Sequence, residues 1–289
     1  MDGGHFETKG VNEAGEIISV PLHRHEVGLD FWYGELSLQA SFEDAWSLRF
    51  RVPFSIKDQS VEVNPVDPAT EADIAAMERN GELHHRDETY QGIGDLSLLV
   101  SRQFVGIFDN QDIFELSVGT SVPTGKTEED PLLAGREGRR HLHIQFGNGT
   151  FDPLLEASYG RPVIPMVMGH VSLALRTPLY ENSKKYRASS EFLAGGGITA
   201  ILSEKATVGA QYQFLRQGFA EWNGVRDNNT GLKAHYLAFS GGVALDMRTQ
   251  LNLGVRFPLT QSTLVSDGDT FEQGVSVLFG LSRTLRESF

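Results

Sequence analysis

Apolar and polar residues along this chain alternate with a period of two far more often than they recur at helical spacing. Trp46, Leu48, Phe50, Val52, Phe54 and Ile56 share one face, with Ser47, Arg49, Arg51 and Ser55 between them, the pattern of a half-buried strand. The alternation returns in Leu96/Leu98/Val100, Phe114/Leu116/Val118/Val122, Leu142/Ile144/Phe146, Val167/Val171/Leu173/Leu175, Phe192/Ala194/Ile198/Ala200/Leu202 and Val208/Ala210/Tyr212/Phe214. Leu237/Phe239/Val243/Leu245, Leu251/Leu253/Val255/Phe257/Leu259 and Val275/Val277/Phe279/Leu281 close the series, the last continuing in phase to Leu285 and Phe289. The spacing predicts about eleven strands. A twelfth at 15–22 would bring both termini to the same side. The strand at 27–42 changes phase at Gly34/Glu35, which reads as a bulge.

The connections alternate as well. Those at 43–45, 203–205 and 246–248 are short, whereas those at 57–91, 124–140, 178–189, 217–233 and 261–270 are long and polar. Amphipathic strands with tight turns at one end and elaborate loops at the other predict an all-β fold, an antiparallel up-and-down transmembrane β-barrel of about twelve strands with short periplasmic turns and long extracellular loops. Within the loop at 57–91, Thr70 and Asp73 form a capping-box-like start followed by Ile74 and Met77, which predicts one short helix stopping at Gly81. Residues 27–289 read as the barrel, and residues 1–26 as an N-terminal segment serving as first strand, tether or plug.

Composition then removes alternatives. With 38 Asp and Glu against 25 Lys and Arg, the formal charge is -13, which argues against a nucleic-acid partner. The absence of cysteine excludes disulfides, thiolate metal sites and a cysteine nucleophile. No apolar run approaches the roughly 18 residues of a membrane helix. The opening MDGGH has neither a charged n-region nor an apolar h-region, and reads as following a secretory signal already removed.

A soluble barrel would show the same alternation with its apolar side inward, so facing must be argued separately. The strand runs are close to the roughly 9–11 residues that cross a hydrocarbon core. Phe289 is in phase with the last strand, and a terminal aromatic there is the sorting feature of bacterial outer-membrane barrels. The apolar stripe is therefore expected to face lipid in the bacterial outer membrane. Membrane lipid and lipopolysaccharide outside, a small-molecule solute inside, and the barrel-assembly machinery at the strand ending in Phe289 are the expected partners.

Three segments carry a resemblance: GIGDLSL at 92–98, SVPTG at 121–125 and FGNGTFDP at 146–153. In this order and spacing the chain resembles the outer-membrane transporter family named for the meta-pathway of phenol degradation, over roughly 27–289. The resemblance implies a β-barrel distantly similar to the fatty-acid and toluene channels, passing small hydrophobic or aromatic compounds inward. It supplies no catalytic residue, and neither an enzyme nor a cofactor is expected. Gly125, Lys126 and Thr127 look like the end of a Walker motif, but the upstream glycine is missing.

The expected solute path consists of the polar strand positions Arg49, Arg51, Glu115, His143, Glu156, His170, Arg176, Glu191 and Arg256. The arginines would bias solute choice, with the glutamates as partners, or all would form a salt-bridge network only. A second reading is a closed structural or metal-binding barrel. It draws on His84, His85, His141 and His143 as candidate ligands, although their spacing matches no standard metal motif and no metal is expected. His23 and His25 also share a strand face. A third reading, a lipid-modifying barrel with His170, Ser172 and Asn182, requires side chains that reach acyl chains. The phase of Val171, Leu173 and Leu175 instead points His170 and Ser172 into the lumen.

Overall fold

The computed structural model describes residues 1–42, 45–142, 145–266 and 271–285, without the side chains of His84 and Leu132. In chain order the elements are β1 (Asp2–Val11), β2 (Ile17–Phe42), β3 (Trp46–Pro65), α1 (Glu71–His84), β4 (Glu88–Ile93), β5 (Leu96–Val105), β6 (Ile113–Val122), α2 (Pro131–Arg136), β7 (Pro153–Ile164) and β8 (Val167–Arg176). Then follow β9 (Tyr186–Arg187), β10 (Glu191–Ser203), β11 (Ala206–Gln217), β12 (Ala220–Trp222), β13 (Val225–Asp227), β14 (Leu232–Ala244), β15 (Thr249–Thr263) and β16 (Ser276–Arg283).

One antiparallel sheet runs β1-β2-β3-β5-β6-β7-β8-β10-β11-β14-β15-β16, with β4 beside β3. Its long members are sequential neighbours, the meander expected of an up-and-down barrel. Among the described residues no ladder joins β16 to β2, so the sheet is not closed. Its ends meet at a single bridge, where Asp2 and Glu272 exchange amide-to-carbonyl hydrogen bonds of 3.1 and 2.7 Å. A small second sheet, β13-β12-β9, stands among the long loops.

The facing follows the alternation. Along β8, Val171, Leu173 and Leu175 are exposed while His170, Ser172, Ala174 and Arg176 are partly covered, and β3, β6, β10 and β15 repeat the pattern. The exposed apolar side chains lie all around the sheet, from Leu36 and Leu38 on β2 to Val277, Phe279 and Leu281 on β16. Serines line the inner wall: Ser101 and Ser117 are 1% exposed and share a 2.7 Å hydrogen bond between their hydroxyls. Apolar outside and polar inside is the arrangement of a barrel solvated by hydrocarbon.

Several local expectations change. Residues 15–22 do not form a separate strand, because β2 runs unbroken from Ile17 and pairs outward with β1. Met1 consequently sits at the level of Leu29, to whose carbonyl its ammonium donates at 3.0 Å, whereas β16 ends beside Thr249 at the short-turn side. The expected bulge at Gly34/Glu35 is absent, since β2 pairs with β3 in one register from His23↔Pro65 to Phe42↔Trp46. What changes there is the surroundings: the odd positions Val27 and Leu29 are buried, whereas Glu35 and Gln39 on the same face meet polar lumen groups. The first residues of the loop expected at 57–91 continue β3 to Pro65.

The helix starts where expected. Thr70 caps α1, its hydroxyl accepting from the Asp73 amide while Asp73 accepts from the Thr70 amide and hydroxyl, and these bonds hold the Asp73 carboxyl below its usual range. It continues past Gly81 to His84, because tertiary packing of Ala76 and Met77 on Val20 outweighs the local cost of a mid-helix glycine. The strand expected around Leu142/Ile144/Phe146 is not formed by the described residues Leu142, Gln145 and Phe146. Those residues are bound as loop: the Phe146 amide donates to the Lys126 carbonyl, and the Lys57 ammonium donates to the Gln145 carbonyl and lies 4.8 Å from the Phe146 ring centre.

The three segments that carry the resemblance converge at the loop end of β5, β6 and β7. Asp95 accepts from the amides of Gly125 (2.9 Å) and Asn148 (2.6 Å), Thr124 links the Leu96 amide to the Gly94 carbonyl, and Asp152 accepts from Asn148 and Thr150. Gly125 and Gly147 touch backbone to backbone. A Cβ on Gly147 would lie 2.4 Å from an Asp95 carboxylate oxygen and 2.7 Å from the Gly125 Cα. Gly147→Ala is therefore expected to cost about 1–3 kcal/mol through overpacking. Gly34→Ala, with nothing near its Cβ, should leave the urea midpoint of the folded barrel close to wild type.

Candidate solute path

Strand order determines which lumen charges can meet. Arg49 and Arg51 are two residues apart on β3, so both project to the inner face, and β5 separates them from β6 and β7. The β5 wall carries short side chains, Ser97 and Ser101, with Leu99 fully buried. The long guanidinium stems reach across this low wall. Arg49 donates to Glu115 at 2.9 Å and to Glu156 at 3.3 Å, and Arg51 holds both Glu156 oxygens at 2.6 and 2.8 Å. Glu35 of β2 stands 3.8 Å from Arg51, and Gln39 accepts from Arg49 at 3.4 Å.

The side chains of Arg49, Arg51, Glu115 and Glu156 are 17–25% exposed, confined enough to hold one geometry. Arg49, Glu115 and Glu156 border a cavity of about 380 Å³ whose wall includes Ser117, Ser158, Ser172 and Ala174. The network forms a bar on one side of the lumen, both signs present and closely matched.

The remaining expected positions lie apart from it. Arg176 and Glu191 face each other across the β8–β10 ladder and pair at 2.9 Å. Arg256 finds no carboxylate among the described contacts. It donates to Ser276 at 3.3 Å and lies 4.6 Å from the Tyr236 ring centre, beside the junction of β2 and β16. His170 takes the inner face of β8 opposite Gly160 and Gly197 and does not enter the Arg49 network. His143 lies outside the described residues, as does Phe289. Glu35 and Gln39 were not expected in the path, although the polar residues at odd positions from 35 to 41 were a usable signal once the bulge is set aside.

The loop histidines separate. His141 bonds its ring Nδ1 to the Arg139 carbonyl at 2.8 Å, and the side chain of His84 lies outside the described set. His85 instead approaches His5 and His25. For the lipid-modifying reading, Asn182 is buried among loop residues, donating to the Asn148 carbonyl, while His170 and Ser172 are on the inner face.

No family model matches the chain, and no curated protein does. Among solved structures it is similar to the COG4313 outer membrane channel from Pseudomonas putida F1, at 13% identity and a TM-score of 0.55, covering 97% of this chain and 90% of that one. Weaker likenesses are the NanC porin (10% identity, TM-score 0.44, 98% of each chain) and OmpT, an outer membrane protein of Vibrio cholerae (12% identity, TM-score 0.37, 97% and 96%). The outward apolar stripe, the inward charges and the first of these likenesses agree: the chain has the fold of an outer-membrane β-barrel.

Proposed function

We propose that this protein is a passive outer-membrane channel for small solutes, and that the Arg49–Arg51–Glu115–Glu156 bar lines its narrowest part. The observation that carries the reading is a polar lumen in which charge is present yet matched. Arg49, Arg51, Arg176 and the carboxylate-free Arg256 stand against Glu35, Glu115, Glu156 and Glu191, four charges of each sign, so no strong field of one sign bars or concentrates ions. A lumen of that kind suits neutral solutes. The resemblance carried by 92–98, 121–125 and 146–153 supports small hydrophobic or aromatic compounds as that class, and the likeness to an outer membrane channel supports passage as the activity.

Purified, refolded protein in planar bilayers tests this. We expect small stable conductance steps and a cation-to-anion permeability ratio near unity. Sustained silence across preparations that are folded by heat-shift electrophoresis would defeat the channel reading and favour a closed scaffold.

A further inference from the structure

The hairpin of β1 and β2 brings together histidines that are far apart in sequence. Its register sets His5 opposite His25 and Glu7 opposite His23, and the period of two puts all four on one face. α1 lies over that face. Ala76 and Met77 pack on Val20, Arg79 donates to the Val11 carbonyl, and His85, just past the helix, completes the group. Two sets of ligand atoms result, His5/His25/His85 and Glu7/His23/His25, each with its members within 4.8 Å of one another. The group stands above the lumen at the long-loop end, away from the ion-pair bar.

We propose that Glu7, His23 and His25, with His5 and His85 alongside, bind one divalent transition-metal ion of the zinc or copper class. His23 and His25 are both 0% exposed, and their Nε2 atoms are 3.0 Å apart, close to the separation of about 3.3 Å for two imidazoles on a tetrahedral zinc ion. The outer contacts suit ligation. The Nδ1 of His23 lies 3.1 Å from the Pro21 carbonyl, and donation there leaves the Nε2 lone pair facing inward. The Asn80 amide donates to Glu7 at 2.9 Å and orients that carboxylate, which also stands 3.8 Å from the His5 Nε2. Imidazole nitrogens with one carboxylate are a donor set for zinc or copper, whereas calcium and magnesium take oxygen donors.

The full chain, folded in detergent and stripped with chelator, is titrated with Zn²⁺ by calorimetry and its bound metal counted by mass spectrometry. About one zinc ion per chain is expected, falling to background in a His23→Gln/His25→Gln variant, with His170→Gln binding as wild type. Asn80→Ala, which keeps every ligand, should weaken binding about 10–100-fold. Cobalt in place of zinc should give the visible absorption of a tetrahedral nitrogen and oxygen site. Wild-type uptake no greater than that of the double variant overturns the proposal. If the double variant fails the heat-shift test of folding, Glu7→Gln and Asn80→Ala decide the matter, and unchanged affinity in both overturns it.

Discussion

Val171→Arg is expected to destabilise the folded barrel by about 2–4 kcal/mol, the cost of a guanidinium at the hydrocarbon midplane. Val171 is 55% exposed at the centre of β8, between two strands whose outward residues are equally apolar. Ser172→Arg, one residue along and on the opposite face, borders the cavity beside Glu156 and should cost far less. Urea titrations of both variants refolded into vesicles provide the comparison. If the outer face met water and not hydrocarbon, the exposed position 171 would tolerate a guanidinium and the difference between the two variants would vanish. Equal or inverted costs would therefore remove the membrane orientation on which the channel rests.

Glu156→Gln should have the second-largest effect, and it reads function as well as stability. Glu156 receives both guanidiniums, so the substitution keeps the shape but leaves Arg51 with only Glu35 at 3.8 Å, and Arg49 with Glu115. The loss of charge-assisted hydrogen bonds is expected to lower stability by about 1.5–3 kcal/mol. Uncovered positive charge in the lumen should turn the channel anion-selective, seen as a shifted reversal potential in a salt gradient. Combining it with Arg51→Gln restores the charge balance. That double variant should recover most of the lost stability and return selectivity toward unity, the coupling expected of partners in one network. A reversal potential unmoved by Glu156→Gln would place the bar outside the conducting path.

Much of this fold was legible in one dimension because a barrel wall solvated by lipid on one side and polar groups on the other imposes a strict period of two. The run from Trp46 to Ile56 and the run from Val167 to Arg176 state which residues share a face, and loop lengths indicate which end is which. The reading failed where surroundings changed along an unbroken strand. On β2 the switch from odd to even apolar positions resembled a bulge, yet the backbone continues and only the cover differs, with α1 near Val20 and the polar lumen near Gln39. At Gln145 and Phe146 the alternation has no strand behind it, and hydrogen bonds to Lys57 and Lys126 hold these two residues as loop.

The sequence alone determined strand patterning, the polarity of the two faces, the capped start of α1 at Thr70 and the placing of Arg49, Arg51, Glu115 and Glu156 opposite the apolar stripe. Each follows from interactions within a few residues, which periodicity and capping encode directly. Only the tertiary structure decided which charges meet across the β5 wall, that three glycine-bearing segments lock on Asp95, and that His5, Glu7, His23, His25 and His85 gather under α1. Those outcomes depend on strand register and tilt, which couple residues as far as 107 positions apart, and no local pattern records that coupling.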